Sequence, residues 1–166
     1  MIASIMCGGM GSRMKHMCYT EKPLLLIRGV PMIEYVLNAV VGSRKFSAVF
    51  AVTSRYTPTT ALYLKSHKYY LSGIVDATNT SGVDYSTDLG QLIELFKPST
   101  LFVAPSDMPL LNIGTIKEIL KYWKPAIPYF SVIIKKDFVE RLGIKPSIII
   151  RIRGLEYCYS GISIID

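Results

Sequence analysis

The chain has 166 residues, half of them hydrophobic, with 19 Lys and Arg against 12 Asp and Glu and a formal net charge of +7. That length and apolar share suit one globular domain with a sizeable core and exclude a disordered or fibrous chain. The positive balance favours anionic partners; no basic stripe with interleaved aromatics accompanies it, so a small polyanionic substrate is expected rather than nucleic acid.

Ile2 to Met6 is an apolar run closed by glycines, the pattern of a buried parallel strand. Pro31 to Val41 reads as a helix, with proline in the first turn, Ile33, Val36, Leu37, Val40 and Val41 near helical spacing, and Gly42-Ser43 as its stop. Ser47 to Val52 is β-branched and aromatic and predicts a second strand. Thr57-Pro58 opens a second helix, which carries Leu62, Tyr63 and Leu64 toward a Lys65 to Tyr70 end. Ile74 and Val75 give a short third strand, and Asp76 to Ser86 reads as a polar, turn-rich loop. Leu89, Leu92, Ile93 and Phe96 then return at helical period until Pro98. Thr100 to Ala104 is the next strand and leads into the loop Pro105-Ser106-Asp107-Met108-Pro109-Leu110, followed by a helix from about Gly114 to Trp123. Ile127 to Ile134 and Ile148 to Ile152 are strands joined by a charged segment, Lys135 to Lys145, with room for a short helix. Gly161 to Ile165 is the last strand.

Strands alternating with helices across short connections predict an α/β layered fold with a mostly parallel sheet, to which the strand-rich end adds an antiparallel pair. In such sheets ligands bind at the carboxyl ends of the strands. The glycine loop, the Asp76 to Ser86 loop and the Asp107 loop all follow strands, so all three are expected on one rim. No repeat or linker divides the chain, and residues 1–166 are expected to form a single domain.

Cys7, Cys18 and Cys158 form no close-spaced pair, which points away from a zinc site or a disulfide framework and toward reduced thiols. No basic segment precedes a long apolar stretch and no run reaches membrane-span length, so a soluble, cytoplasmic protein without a membrane span is expected.

The most informative stretch is Cys7-Gly8-Gly9-Met10-Gly11-Ser12-Arg13-Met14, followed by Glu21-Lys22-Pro23-Leu24. Gly8, Gly9 and Gly11 let backbone amides turn onto a phosphate, Arg13 adds a forked cation, and Lys22 adds a mobile point charge. The Walker pattern is absent because no Gly-Lys-Ser/Thr closes the loop, and the dinucleotide fingerprint lacks its last glycine. Cys7 reads either as a reactive thiol or as a small buried residue filling an alanine-sized place. Asp107 reads either as a metal ligand at a strand end or as a helix N-cap.

These residues resemble the signature of the nucleotidyltransferases of the sugar-nucleotide and molybdopterin-guanylyltransferase type, whose opening loop is Gly-Gly-x-Gly-Ser/Thr-Arg-Met/Leu followed by Lys-Pro. Within that superfamily the chain is most similar to the archaeal GTP:adenosylcobinamide-phosphate guanylyltransferases. Counterparts of similar type and order are Pro31-Met32-Ile33-Glu34-Tyr35-Val36, Val52-Thr53-Ser54 with Thr57-Pro58, Thr80-Ser81-Gly82 with Asp88-Leu89, and Pro105-Ser106-Asp107. The resemblance implies an α/β, three-layer Rossmann-like fold of the nucleotide-diphospho-sugar transferase kind, mostly parallel with an antiparallel strand near the C-terminal part.

It also implies roles. Gly8, Gly9, Gly11 and Ser12 would hold phosphates, Arg13 would lie along the β- and γ-phosphates, and Lys22 would stabilise charge at the α-phosphorus. Asp107 would hold Mg²⁺, and Thr80, Ser81 and Gly82, with Thr53 and Ser54 nearby, would receive the guanine end. The implied reaction moves GMP from GTP onto a phosphorylated cofactor precursor, adenosylcobinamide phosphate, with release of pyrophosphate. A phosphate acceptor is already anionic, which suits a chain whose two histidines, His16 and His67, sit in no catalytic constellation.

The rival readings are guanylyl or cytidylyl transfer to a molybdopterin phosphate, transfer to a sugar phosphate, and a nucleotide-binding regulatory protein without turnover. The molybdopterin relatives generally carry Asp-Lys-Gly after a shorter gap, unlike Glu21-Lys22-Pro23. Where many relatives place a second Asp or Asn, Tyr159-Ser160-Gly161-Ile162-Ser163 offers hydroxyls and a glycine. Relatives also commonly continue past the position of Asp166 through a further helix, so either this version is short, or a homodimer contact or a missing tail covers the apolar end.

Overall fold

The computed structural model describes residues 1–11, 20–146 and 148–166. Its centre is a seven-stranded sheet. Strands β1 (Ile2–Met6), β4 (Ala48–Ser54), β5 (Val75–Thr80) and β6 (Leu101–Pro105) run parallel in the order β5-β4-β1-β6. Beyond β6 the sheet turns antiparallel through β9 (Leu155–Ile165) to β7 (Tyr129–Lys135), and β8 (Ile149–Ile152) pairs with the first half of β9. A small hairpin, β2 (Leu26–Ile27) and β3 (Val30–Pro31), lies apart.

Strand alternation sends successive side chains to opposite faces, and each face has its own cover. On one side α1 (Met32–Ser43), α2 (Pro58–Ser66) and α5 (Ile113–Tyr122) press Ile33, Val36, Leu37, Leu64, Ile116 and Ile119 onto Ala3, Ile5, Ala51, Phe102 and Ala104. On the other, α4 (Tyr85–Phe96) brings Leu89, Leu92, Ile93 and Phe96 to Val52, Leu101 and Val103. Each fully buried side chain of this size contributes about 1.5–3 kcal/mol, so both faces are held by burial rather than by helix propensity. The result is the expected three-layer, mostly parallel arrangement. No described helix is long and apolar enough to cross a membrane.

Several expected boundaries are corrected. The helix toward Tyr70 breaks at His67, which is extended; its Nδ1 accepts the Tyr69 N–H at 3.3 Å and starts the separate short helix α3 (Lys68–Leu71). Asp76 to Thr80, expected as loop, is most of β5. Among the described residues this strand pairs with β4 alone and lies at the sheet edge, where polar residues are tolerated. The helix expected near Leu89 starts at Tyr85, because Asp84 caps it by accepting the Thr87 N–H at 2.8 Å. The last strand begins at Leu155 rather than Gly161, entered through a two-residue Arg153-Gly154 turn with both residues at positive φ. An identical Arg28-Gly29 pair turns the β2–β3 hairpin. The charged segment carries the short helix α6 (Lys136–Arg141).

Candidate active site

The carboxyl ends of β1, β5 and β6 open onto a cleft of about 580 Å³. Gly8, Gly9, Gly11, Lys22, Gly82 and Asp107 all line it. Ser12 and Arg13, the other two residues assigned to phosphates, lie outside the described residues, as does His16.

Three strand ends are joined at Ser54. Its Oγ donates to the Gly8 carbonyl at 2.7 Å and accepts the Tyr56 N–H at 3.1 Å. A Cβ on Gly8 would lie 3.0 Å from the Ser54 Cβ, and one on Gly82 would lie 2.9 Å from both its Cβ and its Oγ. Ser54 is therefore wedged between the glycine loop and the β5–α4 loop, and neither approach leaves room for a side chain. Gly11 and Gly82 also have positive φ, of 59° and 69°.

The hydroxyls expected near the guanine end are occupied within the protein. Thr53 is buried and donates to Asn79 Oδ1 and to the Thr78 carbonyl at 3.3 Å. Thr80 donates to the Thr53 carbonyl at 3.4 Å. Buried Asp88 gathers the β5–α4 loop: its Oδ1 accepts the Gly82 N–H at 2.8 Å and the Ser81 hydroxyl at 3.2 Å, while the Ser81 N–H donates to Gln91 Oε1 at 3.0 Å. Of Thr53, Ser54, Thr80, Ser81 and Gly82, Gly82 lines the cleft, as does Asp88, and the other four shape the loops around it.

Lys22 and Asp107, 85 residues apart in sequence, meet as an ion pair at the cleft. Lys22 opens a 3-10 turn over Lys22–Leu24, anchored by buried Pro23 and by the Leu24 N–H donating to the Glu21 carbonyl at 2.9 Å. Asp107 follows β6, whose loop is held to β1 by the Ser106 N–H on the Met6 carbonyl at 3.0 Å. The helix-cap reading of Asp107 is excluded, because Asn112 caps α5 by accepting the Thr115 N–H at 3.0 Å. Among the described residues no three His, Cys, Asp or Glu side chains gather as a metal cage.

Cys7 is buried, with its Sγ 3.3 Å from the Ile5 carbonyl. Burial pushes its thiol up to about 12, against weaker opposing pulls from the Ser106 hydroxyl and the Val52 backbone. It fills core space as a neutral thiol rather than acting as a nucleophile. His67 lies outside the cleft lining, its Nε2 2.8 Å from Glu34 Oε1, an oxygen that also accepts the Tyr63 hydroxyl. Tyr85 and Asp84 in the cleft wall were not foreseen as site residues; the D-x-x-T pattern of Asp84 and Thr87 was the available signal that a helix starts there.

A model of the MobA-like NTP transferase domain matches residues 3–132, which run from β1 into β7. Over 144 residues the chain is 35% identical to adenosylcobinamide-phosphate guanylyltransferase of Methanocaldococcus jannaschii, covering 82% of this chain and 70% of that protein. Among solved structures, a hypothetical transferase from Thermus thermophilus superposes with a TM-score of 0.69 at 20% identity, over 99% of this chain and 64% of that one. A CMP:2-keto-3-deoxy-manno-octonic acid synthetase complexed with CTP gives a TM-score of 0.68 at 14% identity, over 99% of this chain and 72% of that one. At such identities these two likenesses speak for the fold alone.

Proposed function

The chain belongs to the family of MobA-like NTP transferase domains and is a nucleotidyltransferase, and from that premise we propose that it moves a guanylyl group from GTP onto adenosylcobinamide phosphate. The observation that carries the site assignment is the meeting of Lys22 with Asp107 beside the glycine loop. The acceptor follows the Methanocaldococcus jannaschii relative.

The amides of Gly8, Gly9 and Gly11 hold the phosphates, a role that the signature also gives to Ser12 and Arg13. A phosphate oxygen of the acceptor attacks the α-phosphorus in line; the bond from that phosphorus to the bridging oxygen breaks, and pyrophosphate leaves. The nucleophile is already an anion, so no general base is required. Lys22 stabilises the charge that builds at the α-phosphorus, and Arg13 the charge of the departing pyrophosphate. The guanine end rests at Gly82, on a loop that Thr53, Ser54, Thr80, Ser81 and Asp88 hold in shape.

Asp107 fits a Mg²⁺ site: it is a hard oxygen donor in the cleft, and this ion is commonly held by one or two carboxylates together with substrate phosphates. When bound, the ion supplies neutralisation of the triphosphate charge. Lys22, whose Nζ pairs with Asp107 Oδ2, stands beside that carboxylate to meet the same phosphate charge.

The test is pyrophosphate release by purified protein with GTP, Mg²⁺ and, in separate reactions, adenosylcobinamide phosphate, a molybdopterin phosphate and sugar 1-phosphates. Turnover is expected with the first. Tight GTP binding without turnover on any acceptor sinks the reading and leaves a nucleotide-binding regulatory protein.

A further inference from the structure

We infer that Glu21 is a positioning residue for Lys22: its carboxylate ties the Lys22 turn to the first turn of α2, so the β4–α2 connection sets the spacing between the glycine loop and the lysine. The inference rests on the role given to Lys22 above.

Glu21 immediately precedes Lys22, yet its side chain does not cap the turn it begins. It reaches across to α2. Oε1 accepts the Thr59 N–H at 2.8 Å, and Oε2 accepts the Thr60 N–H at 2.7 Å and the Thr60 hydroxyl at 2.6 Å. The local sequence leaves that place open for it. Thr57, which precedes the helix, turns its hydroxyl back to accept the Ser54 N–H at 3.1 Å. Pro58 has no N–H, so Thr59 and Thr60 carry the first free donors of the helix. One carboxylate satisfies both, with charge-assisted bonds at the positive end of the helix dipole. Burial pushes the Glu21 carboxyl up, but the Thr60 hydroxyl and the Thr60 and Thr59 amides together outweigh it and hold the group below its usual value, hence ionised at neutral pH.

The same connection holds the other end of the loop. Ser54 binds the Gly8 carbonyl at 2.7 Å, and the Thr57 N–H binds the Ser54 carbonyl at 3.0 Å. Gly8 and Glu21 are thus both fastened to residues 54–60. Buried Pro23 on one side of Lys22 and the two-oxygen grip of Glu21 on the other leave the lysine backbone little freedom. A helix cap alone would stabilise α2; a tether also holds the turn from which Lys22 extends.

Hydrogen exchange separates these. The Leu24 and Leu25 amides donate within the Lys22 turn, to the Glu21 and Lys22 carbonyls, while the Thr59 and Thr60 amides report the cap itself. In Glu21→Ala, exchange is expected to quicken at Leu24 and Leu25 as well as at Thr59 and Thr60. Turnover is expected to fall by about 10- to 100-fold, the cost of a small misplacement of a catalytic group, with the KM for GTP nearly unchanged. Thr60→Ser should behave as the parent, and Thr60→Val should lie between parent and Glu21→Ala. Glu21→Gln keeps the size and one acceptor, and the same exchange comparison applies to it if the alanine variant does not fold. Parental protection at Leu24 and Leu25 overturns the tether, whatever happens at Thr59 and Thr60. If the parent turns over no acceptor, the transfer reading fails while the exchange result still decides the tether.

Discussion

Gly73 and Gly82 share a φ of 69°, and they differ in what surrounds them. A Cβ on Gly73 would meet nothing within 4 Å, whereas one on Gly82 would sit 2.9 Å from the Ser54 Cβ and Oγ and 3.1 Å from the Tyr56 ring. Gly73→Ala therefore measures the backbone cost alone, about 1–2 kcal/mol for an L side chain in the left-handed region. Gly82→Ala carries that cost plus the clash. The Ser54 Cβ cannot swing aside, because it is bonded to backbone in β4 and its hydroxyl holds Gly8. Forcing atoms into a filled space adds typically about 1–3 kcal/mol, for a total of roughly 2–5 kcal/mol. Each kcal/mol lowers Tm by about 2–4 °C in a chain of this size. Thermal melts of parent, Gly73→Ala and Gly82→Ala are expected to fall in that order, with GTP affinity lost in Gly82→Ala alone. If Gly82→Ala melts no lower than Gly73→Ala, the packing of the β5–α4 loop on Ser54 is refuted.

Lys22→Ala and Asp107→Asn are each expected to lower turnover by about 10²–10³-fold, as loss of one electrostatic contact at a transition state does. Their side chains are 38% and 34% exposed, so screening holds the pair to at most about 1 kcal/mol of stability and both variants should melt within a few degrees of the parent; turnover near the parent level would refute their roles. Glu21 has a depressed carboxyl, so its contribution to stability is complete above the ordinary value of 4.5 and disappears as pH falls through the lower folded value. The Tm difference between parent and Glu21→Gln should therefore be flat from pH 8 to above that ordinary value and shrink at more acid pH, and a difference that widens on acidification would contradict the cap. Cys7 should resist alkylation in the folded protein at pH 8 and react only on unfolding; rapid native-state labelling measured by mass spectrometry would show that it is neither buried nor neutral.

What could be read in the sequence was what is local. Ile2 to Met6 followed by Gly8 and Gly9 announces a buried strand and a turn within a few residues, and the structure places β1 over those same five positions. Polar strands and bent strands were harder. Asp76-Ala77-Thr78-Asn79-Thr80 has the composition of a loop, and only pairing with β4 along a sheet edge makes it β5. Leu155 to Ile165 is one strand, but its first half lies between β8 and β7 and its second between β6 and β7, with Gly161 at the change. The hydroxyls of Thr53, Ser54, Thr80 and Ser81 were legible as neighbours of the site. That they hold loops instead of facing the cleft depends on partners such as Asn79, Gly8 and Asp88 brought in by the fold. The partners of Glu21 lie 38 and 39 residues away, beyond any local pattern.

The position of Asp107 depends on a part of the chain beyond the matched family segment, which ends at residue 132. Gly161 of β9 has a φ of 89°, and a Cβ there would lie 3.0 Å from the Pro105 ring, two residues before Asp107. In this stretch Ser160 donates its hydroxyl to the Val132 carbonyl at 2.9 Å, and Gly161 lies close against the proline. The antiparallel end of the sheet thus borders the last residue of β6 with no room for a side chain between them, while Ser106 holds the following loop to β1. Gly161 of β9 borders the strand end that leads into Asp107, and Glu21 ties the turn that carries Lys22 to α2, so the two partners of the ion pair have supports that share no residue. A substitution at either support is expected to shift one partner and leave the other in place, Gly161→Ala moving Asp107 and Glu21→Ala moving Lys22, although neither residue lines the cleft.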